Sequence, residues 1–158
     1  MSLRRCDTEH LREYPDCYEE CDHDKCVGTE TESNVKVAVT MKVSLERMKD
    51  LLTDALEGGS NYWYIIKDYR LPAGKTVKDF EFPHNDIPFA EGGAALIGDL
   101  EDESVTPKWL DLPALIKGLR VMARKYPRHF TDFINENDDA ITADVYLQCC
   151  LFGEVIYG

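Results

Sequence analysis

The chain has 158 residues, of which 30 are acidic and 18 basic, so its formal net charge at pH 7 is −12. A chain of this length buries a core without a disulfide or metal, and 44% hydrophobic residues argue against disorder of the whole chain. No apolar run approaches the ~20 residues of a membrane span, and the N-terminus lacks the apolar stretch of a signal peptide. We therefore expect a cytoplasmic protein with reduced cysteines and no membrane partner.

The basic residues are too dispersed to predict direct binding to a nucleic-acid backbone, which requires clustered Lys and Arg to displace counterions. The densest basic stretch extends from Lys117 to Arg128. Because its cations are spaced as on one side of a helix, we interpret it as a solvated helix face. The acidic surface, in contrast, allows two interpretations: it could bind a basic protein, or imitate DNA toward a nucleic-acid enzyme.

The first 33 residues differ in composition from the rest of the chain. They contain ten acidic and four basic residues, a net charge of −6, and almost no aliphatic side chains. A segment of this composition cannot form a core of its own. We therefore divide the chain into an acidic, cysteine-rich extension, residues 1–33, and a single domain, residues 34–158.

Four of the six cysteines lie in this extension, and they allow two interpretations. Cys17, Cys21, His23 and Cys26 could supply four tetrahedral ligands to a zinc ion. The C-x2-C spacing typical of zinc knuckles is absent, however. The alternative is a loosely ordered segment with reduced thiols and no cofactor, and zinc analysis of the purified protein distinguishes the two.

The domain is predicted to begin with a strand followed by a helix. Valine and methionine alternate with other residues over 35–43, which predicts a half-buried strand. Ser44 is a typical helix N-cap, and apolar residues recur at helical spacing from Leu45 to Leu56. Val43 precedes the cap and is placed to pack against Met48.

Gly58 and Gly59 then end this helix, where a positive φ angle is commonly required. Ser60 can cap again, so we predict a second helix over 61–67. The aromatic and β-branched residues of that segment leave a strand as the alternative.

The middle of the domain is predicted to be irregular, with two short strands. Proline and glycine indicate loops over 71–74 and 82–88. Apolar residues indicate strands at 94–99 and 106–110, joined by an acidic turn.

The last third is predicted to be helical. Asp111 caps a helix over 112–126, Pro127 ends it, and a short helix carries His129. A final helix over 142–157 is apolar nearly all round and is therefore placed centrally. This order of elements predicts an α+β fold, a small antiparallel sheet packed against four to five helices.

The strongest local motif is Glu-Gly-Gly-Ser-Asn-Tyr-Trp at 57–63. Adjacent glycines allow backbone N–H groups to approach a ligand, and a helix that opens at Ser60 would direct its positive end there. This predicts a ligand site formed by Gly58, Gly59, Ser60, Asn61 and Trp63. The alternative is a structural corner with a glycine cap and its aromatic residues in the core. Burial of Trp63 in the core would exclude the ligand site.

At this motif the chain resembles uncharacterised phage and prophage proteins. The resemblance covers residues 35–158, and the matching stretches are Leu56–Trp63, Ile116–Leu119, Lys125–Pro127, Ala143–Glu154 and Val155–Gly158. It implies a phage or prophage origin, and it brings no activity, ligand or catalytic residue. The extension over 1–33 departs from the pattern.

No arrangement of residues predicts catalysis, because neither His84 nor His129 is paired by sequence with a serine or cysteine nucleophile. Whether the protein is an enzyme stays open. We predict a non-enzymatic phage or prophage accessory protein that binds a host protein. The alternative is a binding protein or enzyme for a small, nucleotide-like ligand at the Gly58–Trp63 corner.

Overall fold

The computed structural model describes residues 40–100 and 102–158, and Met41–Gly158 form one compact unit. The extension over 1–33 and the zinc candidates Cys17, Cys21, His23 and Cys26 lie outside the described residues. The strand predicted over 35–43 also lies mostly outside them, and its described end, residues 40–43, has no regular secondary structure.

Helix α1, Leu45–Asp54, forms where the apolar stripe predicts it. The Ser44 hydroxyl accepts a hydrogen bond from the Arg47 N–H at 3.1 Å, as expected of an N-cap. Met48, Leu51 and Leu52 are buried, and Val43 packs against the same core. The helix continues as a single π turn, Ala55–Gly59, before the chain enters the sheet.

The sheet has three antiparallel strands in the order β1-β2-β3: β1 is Tyr64–Arg70, β2 is Ala94–Asp99 and β3 is Lys108–Leu110. The helix predicted over 61–67 is therefore wrong, and the strand alternative holds. The aromatic and β-branched residues favour a pleated, half-buried surface over a helix. A bulge between Ile66 and Asp68 interrupts the pairing of β1 with β2.

The predicted loop over 82–88 contains a short helix, α2, Pro83–Asp86, followed by a 3₁₀ turn, Ile87–Phe89. Proline is compatible with the first turn of a helix, since the N–H that it lacks has no partner within the helix there. A further 3₁₀ turn, Val77–Asp79, precedes it.

The C-terminal half is mainly helical, as predicted: α3 is Leu112–Lys125, α4 is Pro127–Ile134 and α5 is Ala140–Leu151. Every residue of α5 from Thr142 to Leu151 is buried, and the helix contacts α1, α3, α4 and β3. It is shorter than predicted, because the chain leaves the helix after Leu151. The fold is α+β, as the sequence predicts, with a central apolar helix.

The sheet buries one face and leaves the other open. Ala95, Ile97 and Leu110 belong to the helix-packed core, while Ile65 and Trp109 are exposed. In the part of the chain that the structure describes, no helix is both long and apolar enough to cross a membrane.

Candidate functional site

Trp63, the residue on which the ligand interpretation depends, is buried in the core with 1% of its surface exposed. Its indole stacks on the Tyr157 ring, with centroids 5.0 Å apart and planes 15° apart, and the Phe152 ring packs at 5.6 Å. The indole N–H donates to the Asp144 carboxylate at 2.7 Å. No ligand can stack on Trp63 in this arrangement, so the predicted ligand role of Trp63 does not hold.

Asp144 is the centre of this corner, and its sequence context did not predict it as a site residue. Its carboxylate, on α5, is 8% exposed and accepts four hydrogen bonds from side chains. The Ser60 hydroxyl donates at 2.6 Å, the Gln148 amide at 2.8 Å and the Tyr62 hydroxyl at 3.1 Å, in addition to the Trp63 indole. Hydrogen bonds to a carboxylate are about twice as strong as neutral ones. Four donors therefore stabilise a buried charge without a cation.

Gln148, one turn after Asp144, holds the end of the chain on the corner. Its Oε1 accepts hydrogen bonds from the backbone N–H groups of Ile156 at 2.7 Å and Tyr157 at 2.8 Å. Its amide also donates to the Tyr157 carbonyl at 3.1 Å, and the Tyr157 hydroxyl donates to Asp99 on β2. The chain leaves α5 at Gly153, whose φ angle of 76° ends the helix, and Gln148 then holds the final residues across the corner.

The two glycines have different roles, and neither is the one predicted. Neither adopts a positive φ angle, so they do not end the helix in the way that the sequence predicted. A Cβ atom at Gly59 would lie 2.2 Å from the Ala140 carbonyl oxygen, whereas at Gly58 it would meet nothing within 4 Å. Gly59 is therefore required for the close approach of the π turn to the first turn of α5.

The remaining predicted site residues do not converge on an open cavity. Ser60 opens no helix; its hydroxyl donates to Asp144, and its backbone N–H donates to the Ala55 carbonyl at 2.8 Å. Asn61 and Gly58 are exposed at the rim of the corner. The expected geometry of a phosphate-binding turn, with free N–H groups at a helix start, is absent at this corner.

An open cleft lies away from the Gly58–Trp63 corner, between the start of α1 and the end of α4. Its lining includes Met41, Val43, Arg47, Phe133 and Glu136, and none of the predicted site residues lines it.

The other chemically reactive groups of the described domain are held in structural contacts. The His84 ring lies 3.3 Å from the Glu57 carboxylate, and the His129 ring lies 3.0 Å from the Thr142 hydroxyl. Burial raises the pKa of the Cys149 thiol to about 12 and raises that of Cys150 well above its ordinary value. Over residues 40–100 and 102–158, no group of three or more His, Cys, Asp or Glu side chains is placed to hold a metal ion.

Comparison with protein-family models, with curated proteins and with solved structures found no match.

Proposed function

We propose that this protein is a non-enzymatic phage or prophage accessory protein that binds a host protein through the open face of its sheet. The observation that carries the proposal is the exposed Trp109 on that face, packed by an arginine. The phage origin rests on the resemblance of the sequence motifs.

The open face presents three apolar side chains in neighbouring positions. Leu96 on β2 pairs directly with Trp109 on β3, and Ile65 on β1 pairs with Gly98 in the next row of the same face. Trp109 is 40% exposed and Ile65 36% exposed, and no described helix covers either one. Exposed apolar residues grouped on one face mark interaction surfaces more often than isolated ones do.

Arg70 gives this surface a fixed shape. Its guanidinium carbon lies 5.2 Å from the centre of the Trp109 ring, across the small side chain of Ala94, and the group also donates to Asp111 at 3.3 Å. The cation and the carboxylate together hold the indole in one orientation. A partner therefore meets an ordered tryptophan and loses less conformational entropy on binding.

Lys67 covers the other end of the same face. A Cβ atom at Gly98 would lie 2.7 Å from the Lys67 Cε atom, so the lysine chain lies flat on the strand over the glycine. The face thus carries Trp109, Leu96 and Ile65, with Asp68 opposite Leu96 and a cation at each end. Tryptophan and arginine are the residues that most often dominate binding energy in protein interfaces.

The experiment is capture of host proteins on immobilised full-length protein, with each captured protein identified and its affinity for wild type measured. Trp109→Ala is expected to weaken the complex by about 30-fold or more, the loss typical of a central interface tryptophan. Phe82→Ala is the matched control, because Phe82 is 50% exposed and belongs to none of the three strands. Circular dichroism confirms that both variants fold.

The net charge of −12 adds a second expectation. A host partner of positive charge is attracted over long range, so raising the salt concentration should slow association. If no host protein is captured, or if Trp109→Ala and Phe82→Ala bind it equally well, the proposal is wrong.

A further inference from the structure

A row of exposed cations runs along α3 and into α4. It consists of Lys117, Arg120, Arg124 and Arg128, which we call the cation row, and all four are exposed. The first three recur at i, i+3 and i+7, so they share one side of α3 over about 10 Å of helix. The buried side of the helix, with Leu115, Gly118 and Met122, faces α5 and the core.

The charge of this segment is opposite to that of the remainder of the chain. Residues 112–131 contain five Lys and Arg and no Asp or Glu, although the chain has 30 acidic residues. Among the described residues, no side chain of the cation row makes a hydrogen bond or an ion pair. Four neighbouring like charges repel one another, so the row is arranged to meet negative charge from outside the domain.

Carboxylates suit this row better than a nucleic acid does. No large aromatic residue of the described chain is exposed on α3 or α4; the exposed ones are Tyr62, Phe82 and Trp109. Sites for single-stranded nucleic acid combine cations with aromatic side chains on which bases stack. A duplex carries one charge per about 1.7 Å and would be repelled by the negative remainder of the protein. A short acidic peptide concentrates its few carboxylates at the row itself.

We propose that the cation row binds an acidic segment of a partner protein, in which carboxylates recur on one face at helical spacing. Three of the four cations are arginines, whose planar guanidinium pairs with a carboxylate through two parallel hydrogen bonds. This surface is separate from the open sheet face, so the two proposals can fail independently.

The test is a titration of ¹⁵N-labelled full-length protein with a glutamate peptide of about 12 residues, long enough to cover the row. The amides of α3 and the start of α4 are expected to shift, and the shifts should decrease as salt is added. The double variant Arg120→Gln, Arg124→Gln is expected to bind roughly tenfold more weakly. The charge-matched control is Lys75→Gln, Lys78→Gln, because these lysines are also exposed and removing them changes the net charge equally.

Each outcome decides the proposal. Selective loss in the arginine variant, with the lysine variant unchanged, supports it. Equal loss in the two variants shows only general charge attraction and overturns it, as does the absence of shifts at excess peptide. A second titration uses a thymidine oligonucleotide in place of the peptide. Tighter binding of that oligonucleotide at the same residues would make the partner a nucleic acid and would also overturn it.

Discussion

Replacing Asp144 by asparagine tests whether the buried carboxylate holds the corner together. The two shortest contacts, from Ser60 at 2.6 Å and Trp63 at 2.7 Å, reach Oδ1, which an asparagine oxygen can still supply. The Oδ2 position becomes an NH₂ group, which faces the Gln148 amide, itself a donor at 2.8 Å. The Tyr62 hydroxyl at 3.1 Å can rotate and accept instead.

The expected change in the free energy of unfolding follows from these contacts. One charge-assisted hydrogen bond is lost, worth about 1.5–3 kcal/mol, and two others weaken to the neutral value, about 1 kcal/mol less each. Relief of the desolvation of a buried charge offsets part of this loss. We expect Asp144→Asn to lower the free energy of unfolding by about 2–4 kcal/mol.

Urea denaturation, followed by circular dichroism and tryptophan fluorescence, measures this change. Asp132→Asn is the control, because it makes the same substitution where no described residue donates to the carboxylate; we expect a change within about 0.5 kcal/mol. If Asp144→Asn is as stable as wild type or more stable, the buried carboxylate does not stabilise the corner. The carboxylate would then be a destabilising group at the corner, and a functional role for it would have to be considered.

Three further predictions concern the packing and the titration of the last helix. Gly59→Ala should destabilise the protein by about 1–3 kcal/mol or more, since the added Cβ atom overlaps the backbone of α5. Gly58→Ala should leave the stability nearly unchanged, because its Cβ atom meets nothing within 4 Å. Equal melting temperatures for the two variants would contradict this. Hydrogen bonds from the first-turn backbone of α5 lower the pKa of Asp139. The ionised carboxylate therefore stabilises the folded protein above the unfolded pKa of about 3.9, and this contribution is lost as the pH falls through the folded pKa. The stability advantage of wild type over Asp139→Asn should therefore shrink in urea titrations below about pH 4, and a constant difference would count against the cap. Burial raises the pKa of Cys149 to about 12 and that of Cys150 well above its ordinary value. Iodoacetamide at pH 8 should therefore leave both thiols unmodified in the folded protein, as measured by peptide mass spectrometry. Modification before unfolding would refute their burial.

Helices with caps and regular apolar stripes were predictable from the sequence. Ser44 and Asp111 precede α1 and α3, and in each case the side chain accepts a hydrogen bond from the first turn. These signals are local, because the cap and the stripe lie in the same segment as the helix that they specify. The fold class followed from the order of such segments.

Strand β1 was not predicted correctly, because distant residues determine it, and the end of α5 was missed although Gly153 is a local signal for it. Tyr64–Arg70 is a strand because β2 pairs along it, which the local sequence cannot show. Helix α5 ends at Leu151 because Gly153, just after the C-cap Phe152, adopts a φ angle of 76°, and Gln148 then binds the backbone of Ile156 and Tyr157. The place of Gln148 inside an apolar helix was a second signal, since a buried polar group requires partners.

Asp144 carried the same signal. It is the one acidic residue within the buried helix Ala140–Leu151, where an unpaired carboxylate would be costly. The sequence therefore indicated that donors had to surround it, and the Ser-Asn-Tyr-Trp segment offered a hydroxyl, a phenol and an indole. Pairing the two segments would have predicted the corner as a structural element instead of a ligand site.

The arrangement around Trp63 gives the Glu57–Trp63 motif a physical interpretation. Trp63 stacks on Tyr157, and a Cβ atom at Gly118 would lie 2.2 Å from the Cys150 sulfur atom. Trp63, Gly118, Cys150 and Tyr157 come from four separate segments of the chain, so these segments together specify the packing of α5 with its neighbours. Trp109 lies in none of them. Because Trp63 is buried in this packing whereas Trp109 is exposed on the open sheet face, substitution of Trp109 leaves the core intact and tests the proposed binding more directly than substitution of Trp63.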